Sequence, residues 1–206
     1  MIPKESVYPN FIFYALLLCL LLVTAAKIVR PAVFTSLSTA VFNNNSLLQS
    51  MKDGFSPFNS GGIFLLLNYF VVVVASTFLI ADYYTLSFHL LYVPLGYFFF
   101  LLFSFLFVGA LIGKLRVFSE SVQNLFFFHQ LIGLVLLPLL IIWMLNLEFT
   151  PVFFRIFLVL FAIIQVYRWF RGGVFALYHR VKWYYFILYF CTLEIIPIFL
   201  VIRLLN

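Results

Sequence analysis

The chain has 206 residues, of which 66% are apolar and only 9% are charged, and its formal net charge is +6. Soluble domains carry about 25% charged residues, so this composition excludes a water-exposed globular surface and predicts a membrane protein. In a membrane protein an excess of cations orients the loops, so the charge is no indication of nucleic-acid binding.

Six apolar stretches are long enough to cross a bilayer as helices, which takes roughly 20 residues each. They predict an all-α fold, a polytopic transmembrane helical bundle that forms a single integral membrane domain over residues 1–206. The predicted spans are Phe11–Val29, Gly62–Tyr83, Ser87–Ile112, Val122–Leu147, Pro151–Phe170 and Trp183–Leu204. The first span is long for a signal peptide and is followed only by a weak Thr24-Ala25-Ala26 cleavage pattern, so we expect it to stay uncleaved.

Local signals mark the two ends of the fifth span. Thr150 followed by Pro151 has the pattern of an N-cap with proline in the first helical turn. The pair Gly172-Gly173 predicts that the helix ends there.

The segment 31–60, between the first two spans, predicts short interfacial helices. Phe34, Leu37 and Val41 recur at helical spacing, which indicates an amphipathic helix on the cytoplasmic side of the membrane. Packing on the membrane surface is one interpretation of these three residues. Docking of a partner is the other.

The loop charges predict the orientation of the chain. Nine Lys and Arg residues follow spans one, three and five, against three on the opposite side. Because cytoplasmic loops are enriched in Lys and Arg, both termini are expected to face away from the cytoplasm.

One carboxylate lies inside the last span. In the stretch CTLEIIPIF, Glu194 lies about 16 Å along a helix from Trp183, near the midplane of a bilayer. Pro197 cannot donate a backbone hydrogen bond, so we expect a helix kink beside it. A carboxylate at this depth has to be protonated or to have polar partners.

Four polar side chains of other spans lie at depths from which they can approach Glu194. We expect Arg168 to be its counter-ion and His129 or Gln165 its hydrogen-bond partner, with Asn68 completing an intramembrane polar cluster. The cluster fixes helix packing in one interpretation and carries protons or binds a substrate in another. A protonated, lipid-facing Glu194 is a third.

Motifs of catalysis and metal binding are not found in the sequence, which has no H-E-x-x-H, no G-x-S-x-G and no P-loop. His89 and His129 lie on adjacent predicted spans, but their depths differ by about 20 Å, too far for two ligands of one haem iron. We therefore assign no catalytic residue, no metal and no cofactor, and an enzymatic activity is not favoured.

The C-terminal motif LYFCTLEIIP and the loop FNNNSLLQSMKDG resemble an integral membrane family of Bacteroidota, domain of unknown function 4271. The resemblance covers essentially the whole chain. It implies a helical protein of the bacterial cytoplasmic (inner) membrane, so the predicted orientation would put both termini in the periplasm. It implies no activity.

The leading functional hypothesis is a non-enzymatic subunit or accessory of a larger membrane complex of the cell envelope. Its expected partners are the lipid bilayer and another membrane protein or a second copy of the chain. Two alternatives use Glu194: a small proton-coupled carrier, and a membrane-embedded enzyme acting on a lipid, quinone or tetrapyrrole.

Overall fold

The computed structural model of the chain describes residues 8–42, 59–85, 91–112 and 115–178. Within these ranges the chain forms α-helices and no strand, which confirms the all-α prediction. The helices are α1 (Tyr8–Val29), α2 (Val33–Phe42), α3 (Ser60–Tyr83), α4 (Tyr92–Ile112), α5 (Leu115–Leu145) and α6 (Thr150–Tyr178). A 3-10 turn, Leu147–Phe149, joins α5 to α6.

Four of these helices, α1, α3, α5 and α6, are long and apolar enough to cross a membrane. Together with α4 they coincide with the first five predicted spans. The sixth predicted span, Trp183–Leu204, lies outside the described residues.

The helices α5 and α6 are longer than predicted. α5 begins at Leu115 instead of Val122, and α6 continues through Gly172-Gly173 to Tyr178, so the predicted stop at the glycine pair is wrong. Glycine weakens a helix by only about 0.5–1 kcal/mol. In an apolar environment the loss of backbone hydrogen bonds would cost more, so the helix continues.

The turn between α5 and α6 is closed by Thr150. Its Oγ1 donates to the carbonyl oxygen of Leu147 at 2.6 Å and accepts from Nε1 of Trp143 at 3.1 Å. Trp143 also stacks on Phe153, with ring centroids 6.3 Å apart. Thr150 itself has helical dihedral angles and belongs to α6, so the N-cap prediction is wrong in its position.

The chain divides into two compact units. The first unit comprises residues up to 91 together with 126–162, and the second comprises 92–125 together with the residues from 163 onward. Both α5 and α6 pass from one unit into the other. The single domain of the sequence analysis stays a prediction.

In the first unit α1 and α3 run in opposite directions. Near one end, the rings of Phe11 and Phe78 lie 5.1 Å apart. Near the other, a methyl group on Gly61 would lie 3.3 Å from Cβ of Arg30, just after the end of α1. The contacts therefore pair the start of one helix with the end of the other.

In contrast, α3 and α5 run in the same direction. Gln130 reaches the start of α3, where its Nε2 donates to the carbonyl oxygen of Gly62 at 3.1 Å. At the end of α3, Tyr84 contacts Phe154, which follows the end of α5 closely, with ring centroids 5.9 Å apart. The helix α4, with 21 apolar-rich residues, is about 31 Å long, enough for one crossing.

The end of α1 is tied to α2 by one lysine. Nζ of Lys27 donates to the carbonyl oxygen of Pro31 at 2.9 Å and lies 5.6 Å from the ring centroid of Phe34. A cation at the C-terminal end of a helix also interacts favourably with the helix dipole. These contacts stabilise the turn that leads into the predicted interfacial segment.

Candidate functional site

Two positions of the predicted site, Glu194 and Pro197, lie outside the described residues. The location of the carboxylate near the midplane and the helix kink both stay predictions. What can be described is the surroundings of the side chains that were expected to reach Glu194.

Those four side chains are all buried, and they are distributed between the two units. Asn68 and His129 belong to the first unit, and Gln165 and Arg168 belong to the second. Within the first unit, α3 and α5 carry the polar residues. Within the second, α6 carries them.

A close approach of α3 and α5 creates the polar region of the first unit. A methyl group on Gly133 would lie 2.7 Å from Cα of Tyr69, which is closer than real Cβ atoms come, so glycine is required here. This approach brings His129 edge-on to the ring of Tyr69, with centroids 4.8 Å apart. His129 is 1% exposed, so its imidazole is enclosed by packing.

Gln130, the neighbour of His129, links the same two helices. Its side chain is buried and donates from Nε2 to the carbonyl oxygen of Gly62. Hydrogen bonds between membrane helices contribute about 0.6 kcal/mol on average. Gln130 therefore fixes the axial position of α5 against the start of α3.

Asn68 is the unusual polar residue of this region. It is fully buried on the same stripe of α3 as Leu65 and Val72. Neither Oδ1 nor Nδ2 of its carboxamide has a hydrogen-bond partner among the residues that the structure describes. A buried polar group left in this state costs about 1–3 kcal/mol, so Asn68 marks either strain or a place for a polar molecule.

In the second unit, three polar side chains follow one face of α6 at intervals of three residues. With its amide oriented toward the guanidinium group, Oε1 of Gln165 accepts from Nη2 of Arg168 at 2.7 Å and from Nε at 3.3 Å. Arg168 and Arg171 are each 4% exposed. The face therefore holds two enclosed cations, one of them oriented by an amide oxygen.

The opposite face of α6 is apolar and uncovered. Ile163, Val166 and Phe170 are all exposed. This distribution, apolar outside and polar inside, is typical of a helix that faces lipid on one side and its own protein on the other.

The predicted docking residues lie on α2. Leu37 and Val41 are buried and Phe34 is half-buried. Leu37 and Val41 are thus covered by the chain itself, and of the three residues only Phe34 is partly exposed. Partner docking at these residues stays a prediction.

Sequence reasoning missed the roles of Gln130, Gly133 and Arg171. Arg171 was counted among the cations that follow the fifth span, which was predicted to end at Phe170. The three-residue spacing of Gln165, Arg168 and Arg171 was a usable signal for a shared face. No comparable signal exists for Gly133, whose importance depends on how closely α3 approaches.

In the part of the chain that the structure describes, no three His, Cys, Asp or Glu side chains come together in an arrangement that could hold a metal ion. The polar side chains of the candidate site carry amide, imidazole and guanidinium groups. These groups form hydrogen bonds and bind anions.

These features fit the class of helical membrane proteins, with four helices long and apolar enough to cross a membrane and several polar side chains buried on helix faces. The chain belongs to the family described as Domain of unknown function (DUF4271), which matches residues 12–205 and so confirms the resemblance of its C-terminal motif. No curated protein and no solved structure matches the chain.

Proposed function

We propose that this protein is a non-enzymatic subunit or accessory of a larger membrane complex of the cell envelope. The observation that carries the proposal is that His129 and Gln130 are buried in contacts between α3 and α5. His129, whose imidazole could act as an acid or a base, is buried against the ring of Tyr69. The amide of Gln130 donates from Nε2 to the carbonyl oxygen of Gly62. A catalytic group has to reach its substrate, whereas these groups hold helices together.

The uncovered helix faces also support an assembly. In the most apolar stretch of the span Leu147–Val174 only 17% is buried within the chain, against 61% in that of the span Val122–Leu145. Lipid covers such a face in a monomer, and a neighbouring subunit covers it in a complex. The proposed partner is a membrane protein or a second copy of this chain.

The proposed location is the bacterial cytoplasmic membrane, with both termini in the periplasm. The alternating directions of α1 and α3, and the common direction of α3 and α5, support an arrangement in which successive spans cross in turn. Reporter fusions at Asn206 test the orientation. A fusion that is active only in the cytoplasm would reverse it.

The central experiment is gentle detergent purification of the tagged protein at its natural level, followed by mass spectrometry of co-purifying proteins and by size analysis. We expect a partner at fixed stoichiometry or a defined homo-oligomer. Recovery of a monomer without any co-purifying protein, in the same mild detergent, would contradict the proposal.

Two variants locate the interface within the same experiment. Leu21→Trp on α1 and Val166→Trp on α6 add bulk to exposed positions and leave the core intact. Loss of the partner from one variant and not the other identifies the helix that contacts it, and each variant is the control for the other.

A second candidate function is a proton-coupled carrier or an enzyme that uses Glu194. The burial of Arg168, the expected counter-ion of Glu194, favours it. The substitution Glu194→Gln discriminates the two. If the carboxylate is structural, Gln preserves shape and most hydrogen bonds, so partner binding and stability largely survive, while Glu194→Leu damages folding. If Glu194 carries protons, the Gln variant folds and assembles but its activity is lost.

A further inference from the structure

The interface between α1 and α3 has a defined register. A methyl group on Gly61 would lie 3.5 Å from the carbonyl oxygen of Ala26, so these two residues face each other. Seven residues make almost two full helical turns and a rise of about 10.5 Å. Because the two helices are antiparallel, a step of seven residues back along α1 and forward along α3 leads to Cys19 and Asn68. The register therefore puts these two residues opposite each other.

Burial along the interface agrees with this register. Cys19 and Asn68 are both fully buried, with exposed fractions of 0%. One further step of seven residues on each helix leads to Ile12 and Ala75, which are also buried. The enclosed face thus continues beyond the pair on both helices, and Cys19 and Asn68 lie in its middle part.

The two side chains face each other without a direct hydrogen bond. Oδ1 and Nδ2 of Asn68 are buried, and neither has a partner among the residues that the structure describes. Cys19 is a free, buried thiol. Ala15, one turn before Cys19 on the same buried face, is a small residue, so α1 presents little bulk toward this part of α3. A carboxamide left in this state is costly, and a bridging group would relieve part of the cost.

The surroundings limit which group can form the bridge. Residues 12–26 and 61–75 contain no charged side chain, and Asn68 lies about 12 Å along α3 from Ser60, inside the hydrocarbon core. A charged ligand would be costly at this depth. A carboxamide offers donors and acceptors, and a thiol is a weak donor and acceptor. Water is neutral, both donates and accepts, and commonly bridges buried polar groups that the chain leaves unsatisfied.

We propose that one water molecule is bound between α1 and α3, where the thiol of Cys19 donates to the water and the water donates to Oδ1 of Asn68. One water supplies only part of the hydrogen bonds that a carboxamide can make. Asn68 therefore stays under-satisfied, and its replacement by an apolar residue is still stabilising. The inference goes beyond the proposed function, because it concerns how α1 is held on α3 and applies whether or not the protein is a subunit of a complex.

Solid-state NMR of the full-length protein in lipid bilayers, with isotopically labelled asparagine, detects the water directly. The carboxamide signal of Asn68 is the one that disappears in Asn68→Leu, or in Asn68→Ala if the first variant does not fold. We expect magnetisation to pass from water to this carboxamide in the wild-type protein, although the residue is fully buried. An absence of transfer to Asn68 would overturn the proposal.

The infrared S–H stretching band reports on the thiol. The chain has two cysteines, so Cys191→Ser leaves Cys19 as the source of the band. A thiol that donates a hydrogen bond absorbs at a lower frequency than one that does not, so Asn68→Leu in this background should raise the frequency by removing the acceptor of the water. Asn146→Leu is the matched control, because Asn146 is exposed and bonds within its own helix. Equal frequencies in the two variants would contradict the bridge.

The two measurements together separate the bridge from its alternatives. A shifted S–H band without transfer from water would indicate a direct bond between the thiol and the carboxamide, and transfer without a shift would place the water on Asn68 alone. Either result overturns the proposal. Cys19→Ala should reduce the transfer by about half, because the water loses a partner. Ser76→Ala should leave it unchanged, since this buried hydroxyl donates to the carbonyl oxygen of Val72 in its own helix. Equal transfer in the two variants would also overturn the proposal.

Discussion

The two units of the chain differ in the kind of polar side chain that they bury: mainly neutral groups in the first and two arginines in the second. In the first unit, the amide of Gln130 and the indole of Trp143 each donate to an acceptor on another segment, and the net charge is close to zero. In the second unit, α6 carries the buried side chains of Arg168 and Arg171, and this part of the sequence has an excess of Lys and Arg. The amide and the indole donate to another segment and so specify packing, whereas the buried cations of the second unit lie along one face of a single helix.

The difference has a physical basis. A neutral amide needs only one or two hydrogen bonds, which a neighbouring helix supplies. A guanidinium group has five N–H donors and a full charge, so its burial costs several kcal/mol unless an anion is close. The first unit should therefore respond mainly in stability when its polar groups are changed.

The largest expected effect in the first unit comes from Gly133→Ala. The new methyl group would lie 2.7 Å from the backbone of Tyr69, so α3 and α5 would have to separate, at a cost of about 3 kcal/mol. Thermal unfolding in mild detergent measures the change. Gly96→Ala on α4 is the control, because nothing lies within 4 Å of its added methyl group. Equal stability of the two variants would disprove the close approach.

The next effect concerns the turn between α5 and α6. Thr150→Val keeps the shape of the side chain but removes the acceptor for Nε1 of Trp143, which is buried. We expect a loss of about 1–2 kcal/mol in the free energy of unfolding. Thr24→Val on α1 is matched to it, since Thr24 is exposed and donates only to a carbonyl of its own helix, that of Leu20. The first variant should unfold at a lower temperature than the second.

Asn68→Leu should raise the free energy of unfolding, whereas the two preceding variants lower it. Leu has a similar branched shape, and it removes a buried carboxamide for which the described residues supply no partner. We expect a gain of about 1 kcal/mol in the free energy of unfolding. The exposed Asn146, whose Nδ2 donates to the carbonyl oxygen of Ile142 at 2.9 Å, provides a comparison, and its replacement by Leu should not stabilise. A loss of stability in the Asn68 variant would mean that the carboxamide is satisfied.

The smallest effect is expected at Gly172. A methyl group there meets nothing within 4 Å, and α6 continues through this position. Gly172→Ala should therefore stabilise the protein by about 0.5–1 kcal/mol, because alanine is the better helix former. Circular dichroism during heating measures it. A lower midpoint would indicate that α6 has to bend or end at the glycine pair, as the sequence pattern alone suggested.

Much of the fold was predictable because apolar run length decides where helices lie in a membrane protein. The bounds of α1 and α3 differ from the predicted spans by only a few residues. The prediction failed where it depended on a single local signal. Gly172-Gly173 does not end α6, since helical hydrogen bonds outweigh a small propensity cost when water is absent.

For the candidate site, residue type and spacing were enough to select Asn68, His129, Gln165 and Arg168 as buried polar groups. The sequence by itself determined that these side chains needed partners, because an isolated polar group in an apolar span is costly whatever its neighbours are. Whether each one meets a partner among the described residues, and which, was decided only by the tertiary structure.

The pairing of His129 with Tyr69 shows why. It depends on the distance at which α3 and α5 pack, and that distance is set by the missing side chain of Gly133. A glycine looks the same in a sequence whether a neighbouring backbone approaches it, as at Gly133, or nothing does, as at Gly172. Periodicity records which face of a helix is enclosed, whereas the neighbour and its distance depend on residues far away along the chain.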